Sequence, residues 1–296
     1  MSAHHHGHSL SEDLQVMATL VARRRALKWF ASAGTVALVA GCGGSDAGSG
    51  VSVVTGSTVS PATPTPTTTP TPTASTTACI ADPTETAGPY PADGTNSASG
   101  STSNVLVSTG IVRSDIRPSF LTTTTVATGV TTTLTLTIVD VNAACAPLVG
   151  YAVYLWHCDR SGAYSLYSGA AAESYLRGVQ VTDANGQVTF TTIYPACYDG
   201  RWPHMHFELF SSLSNALSGR YSVLTSQLAM PAATCTSVYA DTALYPSSAT
   251  NFARVSLTGD NVFGDNTSAQ LAQQTPAITG SAAAGLTATA LIGIAR

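Results

Sequence analysis

Charge is scarce in this chain. Of its 296 residues only 9% are Asp, Glu, Lys or Arg, and the formal net charge is -4. Nothing in that balance encodes the basic surface that neutralises phosphates, so nucleic acid is excluded as a partner. Long apolar runs are lacking too, and the best candidate, Trp29 to Ala40, is too short to span a bilayer comfortably. C-x-x-C spacing is absent, which argues against a structural zinc knot. No glycine-rich nucleotide-binding motif occurs. Beyond Cys79 no segment carries a long 3.6-residue apolar period, so helix is expected to be minor, near Ser268 to Gln274. Histidine is sparse as well: apart from His4, His5, His6 and His8 in the leader, only His157, His204 and His206 remain.

What is present divides the chain into three. Residues 1–42 form a leader in which Arg23-Arg24-Arg25-Ala26-Leu27-Lys28 precedes the short apolar run, an order that resembles a twin-arginine export signal. Val39-Ala40-Gly41-Cys42 resembles a bacterial lipobox, so the chain is expected to be an exported cell-envelope lipoprotein held to a membrane through a lipid on Cys42. Residues 43–78 are Gly, Ser, Thr and Pro with almost no charge. Proline removes donors and fixes φ, so this stretch is expected to be a disordered but extended tether. Residues 79–296 are left for one folded domain, a sensible size for a single core.

Alternation dominates that domain. Thr131 to Asp140 alternates polar and apolar residues, and Tyr151 to His157 is rich in aromatic and branched side chains. Gly178 to Thr182 and Gln187 to Ile193 flank Asp183-Ala184-Asn185-Gly186, which reads as a hairpin turn. Several short strands at regular spacing point to an all-β fold, an antiparallel β-sandwich with little helix. Besides Cys42 there are five cysteines, an odd number that allows at most two bridges. Cys145 and Cys158 bracket a strand and are expected to pair.

The densest chemistry lies in Tyr194-Pro195-Ala196-Cys197-Tyr198-Asp199-Gly200-Arg201-Trp202-Pro203-His204-Met205-His206-Phe207. In an extended segment side chains alternate, so His204 and His206 share one face while Met205 and Phe207 take the other. Such a pair is an ordinary strand face or half of a metal site, and zinc, copper and iron all accept imidazole. Tyr198 bears on the choice. A phenol with a reference pKa of about 10 ligates only after losing its proton, and a strongly Lewis-acidic ion such as Fe(III) overcomes that cost. Tyr164 supplies a second phenol.

Three strings then fall in order. Trp156 to Ser165 reads W-x-x-x-x-x-G-x-Y-S with Gly162, Tyr164 and Ser165; Thr192 to Tyr198 reads T-I-x-P-x-x-Y; and Gly200 to Phe207 reads G-R-x-P-H-x-H-F. Together with Thr86-Ala87-Gly88-Pro89-Tyr90-Pro91 and Thr225-Ser226-Gln227-Leu228, they resemble the intradiol ring-cleavage dioxygenases of the protocatechuate 3,4-dioxygenase and catechol 1,2-dioxygenase group, in an exported branch. The resemblance implies Tyr164, Tyr198, His204 and His206 as ligands of a non-haem Fe(III), with Arg201 and Gln227 facing the substrate. Tyr198 is implied to leave the metal when substrate binds, so catalytic roles fall to Arg201, Tyr198 and Gln227. It implies a catechol-type substrate, O2, and a muconate-type diacid as product. Tyr194 is assigned to packing or the pocket wall, and His157 to the core or a supporting hydrogen bond. The rival reading is an exported catechol or ferric-catecholate binding lipoprotein without turnover.

Overall fold

The structure, a computed structural model, describes residues 79–98, 101–218 and 221–296. The leader, the lipobox with Cys42 and the Thr/Pro stretch lie outside the described residues. Among the described residues, eleven strands and a few short helices make up the domain. A hairpin pairs β1 (Asp93–Ala98) with β2 (Ser101–Asn104). One sheet holds β3 (Thr131–Asp140), β4 (Ala146–Pro147), β7 (Gln187–Ile193), β10 (Ala277–Ser281) and β11 (Gly285–Ile294). The other runs in the order β6 (Arg177–Val181), β5 (Ala152–Trp156), β8 (His204–Phe210), β9 (Leu224–Ala229), all antiparallel.

The alternation in β3 does what it predicts. Leu134, Leu136 and Ile138 are buried while the threonines between them are partly solvated. These leucines share one core with Ala288 and Ile292 of β11, Phe190 of β7, and Met205, Phe207 and Leu209 of β8, so the two sheets bury their inner faces together. The last strand joins β3 in parallel, from Leu286 opposite Thr132 to Ile294 opposite Asp140. Parallel neighbours need a long crossover, and here the whole of the other sheet lies between them in sequence. Helices are short: α1 (Leu213–Leu217), α2 (Ala232–Tyr239), α3 (Ser248–Phe252) and α4 (Ser268–Gln274). The expected α4 is closed by a capping box between Thr267 and Gln270. Among the described residues no helix is long and apolar enough to cross a membrane.

Two expectations are corrected. The Asp183–Gly186 turn forms, with Asp183 Oδ1 accepting from the N–H groups of Asn185 and Gln187, yet it is no hairpin. β6 pairs with β5 and β7 with β3, so the turn carries the chain from one sheet to the other. Gly186 sits against β3, where a Cβ would lie 2.6 Å from the Ile138 carbonyl oxygen, and its own carbonyl accepts from Ile138 N at 2.8 Å. That contact delivers β7 to β3. The disulfide joins Cys79 to Cys145, with Cα atoms 6.0 Å apart, and not Cys145 to Cys158. Cys145 lies beside β4 at the edge of one sheet, whereas Cys158 follows β5 of the other. Cys158 is a buried thiol donating to the Ala196 carbonyl, and Cys197 and Cys235 are free and buried as well.

The bridge anchors a segment, 79–92, that supplies part of the site wall. Asp82 fastens it further: its Oδ2 accepts from Gly293 N at 2.7 Å and Gln273 Nε2 at 2.9 Å, while Oδ1 is buried without a partner. Burial raises the Asp82 carboxyl from 3.8 to about 6, against the pull of those two donors. The fold therefore holds this proton more tightly than the unfolded chain does. The resulting stabilisation is complete below about pH 3.8 and is lost as pH rises through about 6. Asp82→Asn is expected to gain on the wild type by up to about 3 kcal/mol above that window and by nothing near pH 4. Melting temperatures of both proteins at pH 4 and 7.5 check it; a gap that fails to widen with pH refutes it.

Candidate metal centre

β8 positions both histidines. It is the inner strand between β5 and β9, and every residue from His204 to Phe210 is buried, so both of its faces are covered. Met205 and Phe207 enter the apolar core on one face, which sends His204 and His206 to the other. Their Nε2 atoms lie 3.1 Å apart. Trp156 of β5, paired directly with His206, stacks on its ring at 4.9 Å and 7°. His204 Nδ1 donates to the Trp202 carbonyl at 2.5 Å, which leaves the Nε2 lone pair aimed at the centre.

Two loops bring the phenols. Tyr164, on the loop after β5, has its Oη 3.1 Å from His206 Nε2 and 3.4 Å from His204 Nε2. Tyr198, on the loop before β8, has its Oη 3.1 Å from His204 Nε2. Gly162, at φ +89, lets these loops meet, since a Cβ there would fall 2.9 Å from Tyr198 Cβ. Tyr164 is 3% exposed and Tyr198 half-buried. All four residues expected from the sequence thus converge on one point with their donor atoms in mutual contact.

Electrostatics suit a cation there. Burial drives both imidazoles well below their usual range, so they are neutral and able to ligate. Burial also raises both phenols, Tyr164 well above its ordinary value, while the Arg201 charge pulls the other way. Among the described residues no three His, Cys, Asp or Glu side chains gather as a metal site. The oxygens that complete this cluster belong to tyrosines, and neutral imidazole plus phenol is a donor set for a strongly Lewis-acidic ion rather than for calcium or magnesium. His206 Nδ1 and Trp156 Nε1 are buried without hydrogen-bond partners among the described residues.

Arg201 is 1% exposed, and the paired Asp260 carboxylate offsets its burial and holds it charged. Gln227 accepts from Arg201 Nη2 at 2.9 Å and donates through Nε2 to the Thr86 carbonyl at 2.8 Å, so its amide is engaged at both ends. His157 donates from Nδ1 to the Cys158 carbonyl at 2.8 Å and lies 2.7 Å from Thr192 Oγ1 through Nε2; with both nitrogens occupied it is a core residue. Tyr194 packs on Tyr239 with its hydroxyl 3.1 Å from Cys235 Sγ, away from the cluster.

A cavity of about 100 Å³ opens on the phenols, lined by Tyr90, Gly162, Ala163, Tyr164, Tyr167, Ser168 and Tyr198. Its size is of the order that takes one aromatic ring. Tyr90 stacks on Tyr164 at 4.9 Å. Its neighbour Gly88, at φ +72, passes so close to His206 that a Cβ would sit 3.3 Å from Cε1. Sequence reading missed what holds this wall. Arg177 donates to the carbonyls of Tyr90, Pro91 and Ser165 and to the hydroxyls of Ser165 and Tyr154. Asp260, which pairs with Arg201, was missed too. Neither lies in a motif, and only tertiary contact marks them.

Among solved structures the chain is similar to an intradiol ring-cleavage dioxygenase from Tetranychus urticae, at 24% identity and a TM-score of 0.55, covering 73% of this chain and 95% of that one. Two further similarities are to the dioxygenase domain of a dioxygenase carbohydrate-binding protein fusion from Streptomyces sp. SirexAA-E (23% identity, TM-score 0.44, 73% and 99% covered) and to 3-chlorocatechol 1,2-dioxygenase from Rhodococcus opacus (16%, 0.40, 62% and 64%). The first of these establishes a shared fold. Within that fold, residues 113–220, the stretch that carries Tyr164, Tyr198, Arg201, His204 and His206, match the family model described as Dioxygenase.

Proposed function

We propose that this chain is a non-haem Fe(III) intradiol dioxygenase that opens a catechol-type ring with O2 between its two hydroxylated carbons. The observation that carries the reading is the convergence of Tyr164 Oη, Tyr198 Oη, His204 Nε2 and His206 Nε2, with neighbouring donors 3.1–3.4 Å apart. Bound there, Fe(III) would supply the Lewis acidity that ionises phenols and activates a catechol toward O2.

The chain's own groups divide the remaining work. Tyr164 is walled in by Tyr90, while Tyr198 is the more exposed of the two phenols. Tyr198 Oη is thus the place where a proton from an incoming catechol can rest, because burial favours its neutral form. Arg201 keeps its charge in a water-poor setting, where it stabilises negative charge building on the substrate. Tyr90 and Tyr167 face the ring and exclude water. Both atoms of O2 enter the product, a muconate-type diacid, so no outside reductant is needed. Export and lipidation through Arg23 to Cys42 would put this chemistry at the cell envelope.

Oxygen consumption by the iron-quantified protein across catechol, protocatechuate and hydroxyquinol tests the proposal. Burgundy protein with one iron per chain and oxygen uptake matched to substrate loss is expected. Colour and iron with no uptake on any catechol would favour the binding protein, and a preparation colourless after iron loading would remove the metal reading.

A further inference from the structure

We propose that Asp260 is the positioning residue that decides which edge of the Arg201 guanidinium is left for the substrate; this rests on the function proposed above. A guanidinium offers five N–H donors in a rigid planar fork, so fixing one edge fixes the rest. In this chain one edge is spent on Asp260: Nε donates to Oδ2 at 2.9 Å and Nη2 to Oδ1 at 3.3 Å. Nη2 also donates to Gln227 Oε1 at 2.9 Å. Nη1 makes no hydrogen bond to the described residues, which leaves it as the nitrogen available to a bound anion.

Asp260 is itself immobilised. Its side chain is 0% exposed. Besides Arg201, Oδ2 accepts from Trp202 N at 2.7 Å, and Oδ1 accepts from Val262 N at 2.8 Å and Phe263 N at 3.2 Å. Five donors therefore meet one carboxylate, and it cannot swivel without breaking several of them. Trp202 N comes from the same loop as Arg201, so Asp260 holds backbone and side chain of that loop at once. Because that loop leads directly into His204, the same carboxylate sets Arg201 at a constant offset from the donor cluster. Neither Asp260 nor Arg201 lines the cavity; Arg201 would act on a bound anion by its charge from beside the donor cluster, and Asp260 acts through Arg201.

Asp260 also closes the 260–264 turn, with Gly264 N donating to its carbonyl at 2.8 Å, so a merely structural role has to be separated. Asp260→Asn keeps one oxygen for the Val262 and Phe263 N–H groups, sets its amide N–H2 against Trp202 N and Arg201 Nε, and removes the charge that Arg201 pairs with. Its kinetics are therefore read where its melting temperature shows it folded. In the iron-loaded full-length protein, kcat is expected to fall ~10–100-fold, the worth of a charge-assisted hydrogen bond. KM, iron content and colour should stay near wild type. Arg201→Gln and the double variant should be equally impaired, since both lose the same function. Losses that multiply in the double variant, or an unchanged kcat in Asp260→Asn, overturn the proposal. A second readout needs no turnover. In gallium(III)-substituted protein the Arg201 Nε–H resonance should be protected from exchange in the wild type and lose that protection in Asp260→Asn. If the wild type consumes no oxygen, the proposed reaction fails, and this resonance alone decides the positioning role: protection retained in Asp260→Asn refutes it.

Discussion

Tyr164→Phe is expected to lose colour and oxygen uptake together while the domain stays folded. The substitution removes one oxygen and nothing else of size. The ring can keep its stack on Tyr90 at 4.9 Å and its place in the core cluster, and among the described residues the hydrogen-bond partners of Tyr164 Oη all belong to the donor cluster. What vanishes is the donor in contact with both imidazoles. Changing even an outer partner of a metal ligand costs 10–100-fold in affinity or activity, so removing a ligand is expected to cost more than about 100-fold. Tyr194→Phe is the control: it is equally buried but bonded to Cys235, so its colour and iron content should match wild type. Iron per chain, the visible spectrum and oxygen uptake measure all of this. A Tyr164→Phe protein that is as coloured and as active as its parent removes Tyr164 from the metal site.

The second large effect falls on stability. Arg177→Met replaces a buried guanidinium by an apolar chain of similar reach. Three carbonyls and two hydroxyls lose this donor in the interior, at Tyr90, Pro91, Ser165 and Tyr154, and the Pro91 carbonyl keeps another, the Tyr154 hydroxyl. Leaving several buried acceptors unsatisfied costs about 3–5 kcal/mol, which for a domain this size lowers the melting temperature by roughly 10 °C. Activity should suffer beyond that, because two of the lost bonds hold the Tyr90–Pro91 backbone against the cavity. A raised KM at temperatures where the variant is fully folded would show the wall loosened. A melting point within 2 °C of the parent would mean that these bonds are dispensable.

Much of the site was legible in the chain because its signals are local. The period of two along Pro203 to Phe210 put both histidines on one side, and β8 keeps them there with Met205 and Phe207 in the core. The phenols ride on the loop after β5 and the loop before β8. The alternation in Thr131 to Asp140 produced a half-buried strand as expected, and the helix expected near Ser268 to Gln274 forms as α4.

Partners were another matter. Asp183 to Gly186 has hairpin chemistry, yet the strands on either side enter different sheets, because turn residues specify a reversal and not the neighbour found afterwards. Cysteine spacing suggested Cys145 with Cys158, and the bridge runs instead to Cys79, 66 positions away. Asp260 meets Arg201 across 59 positions, and Arg177 reaches Tyr90 across 87. By itself, then, the sequence determined backbone periodicity, the shared face of the histidines and the donor types on offer. Only the tertiary structure decided which strands pair, which cysteines meet and which buried groups hold Arg201 and Tyr90. The physical reason is range. Alternation and turn preference act over a few bonds, whereas these partners meet only when closure of long loops is offset by burial of a common core.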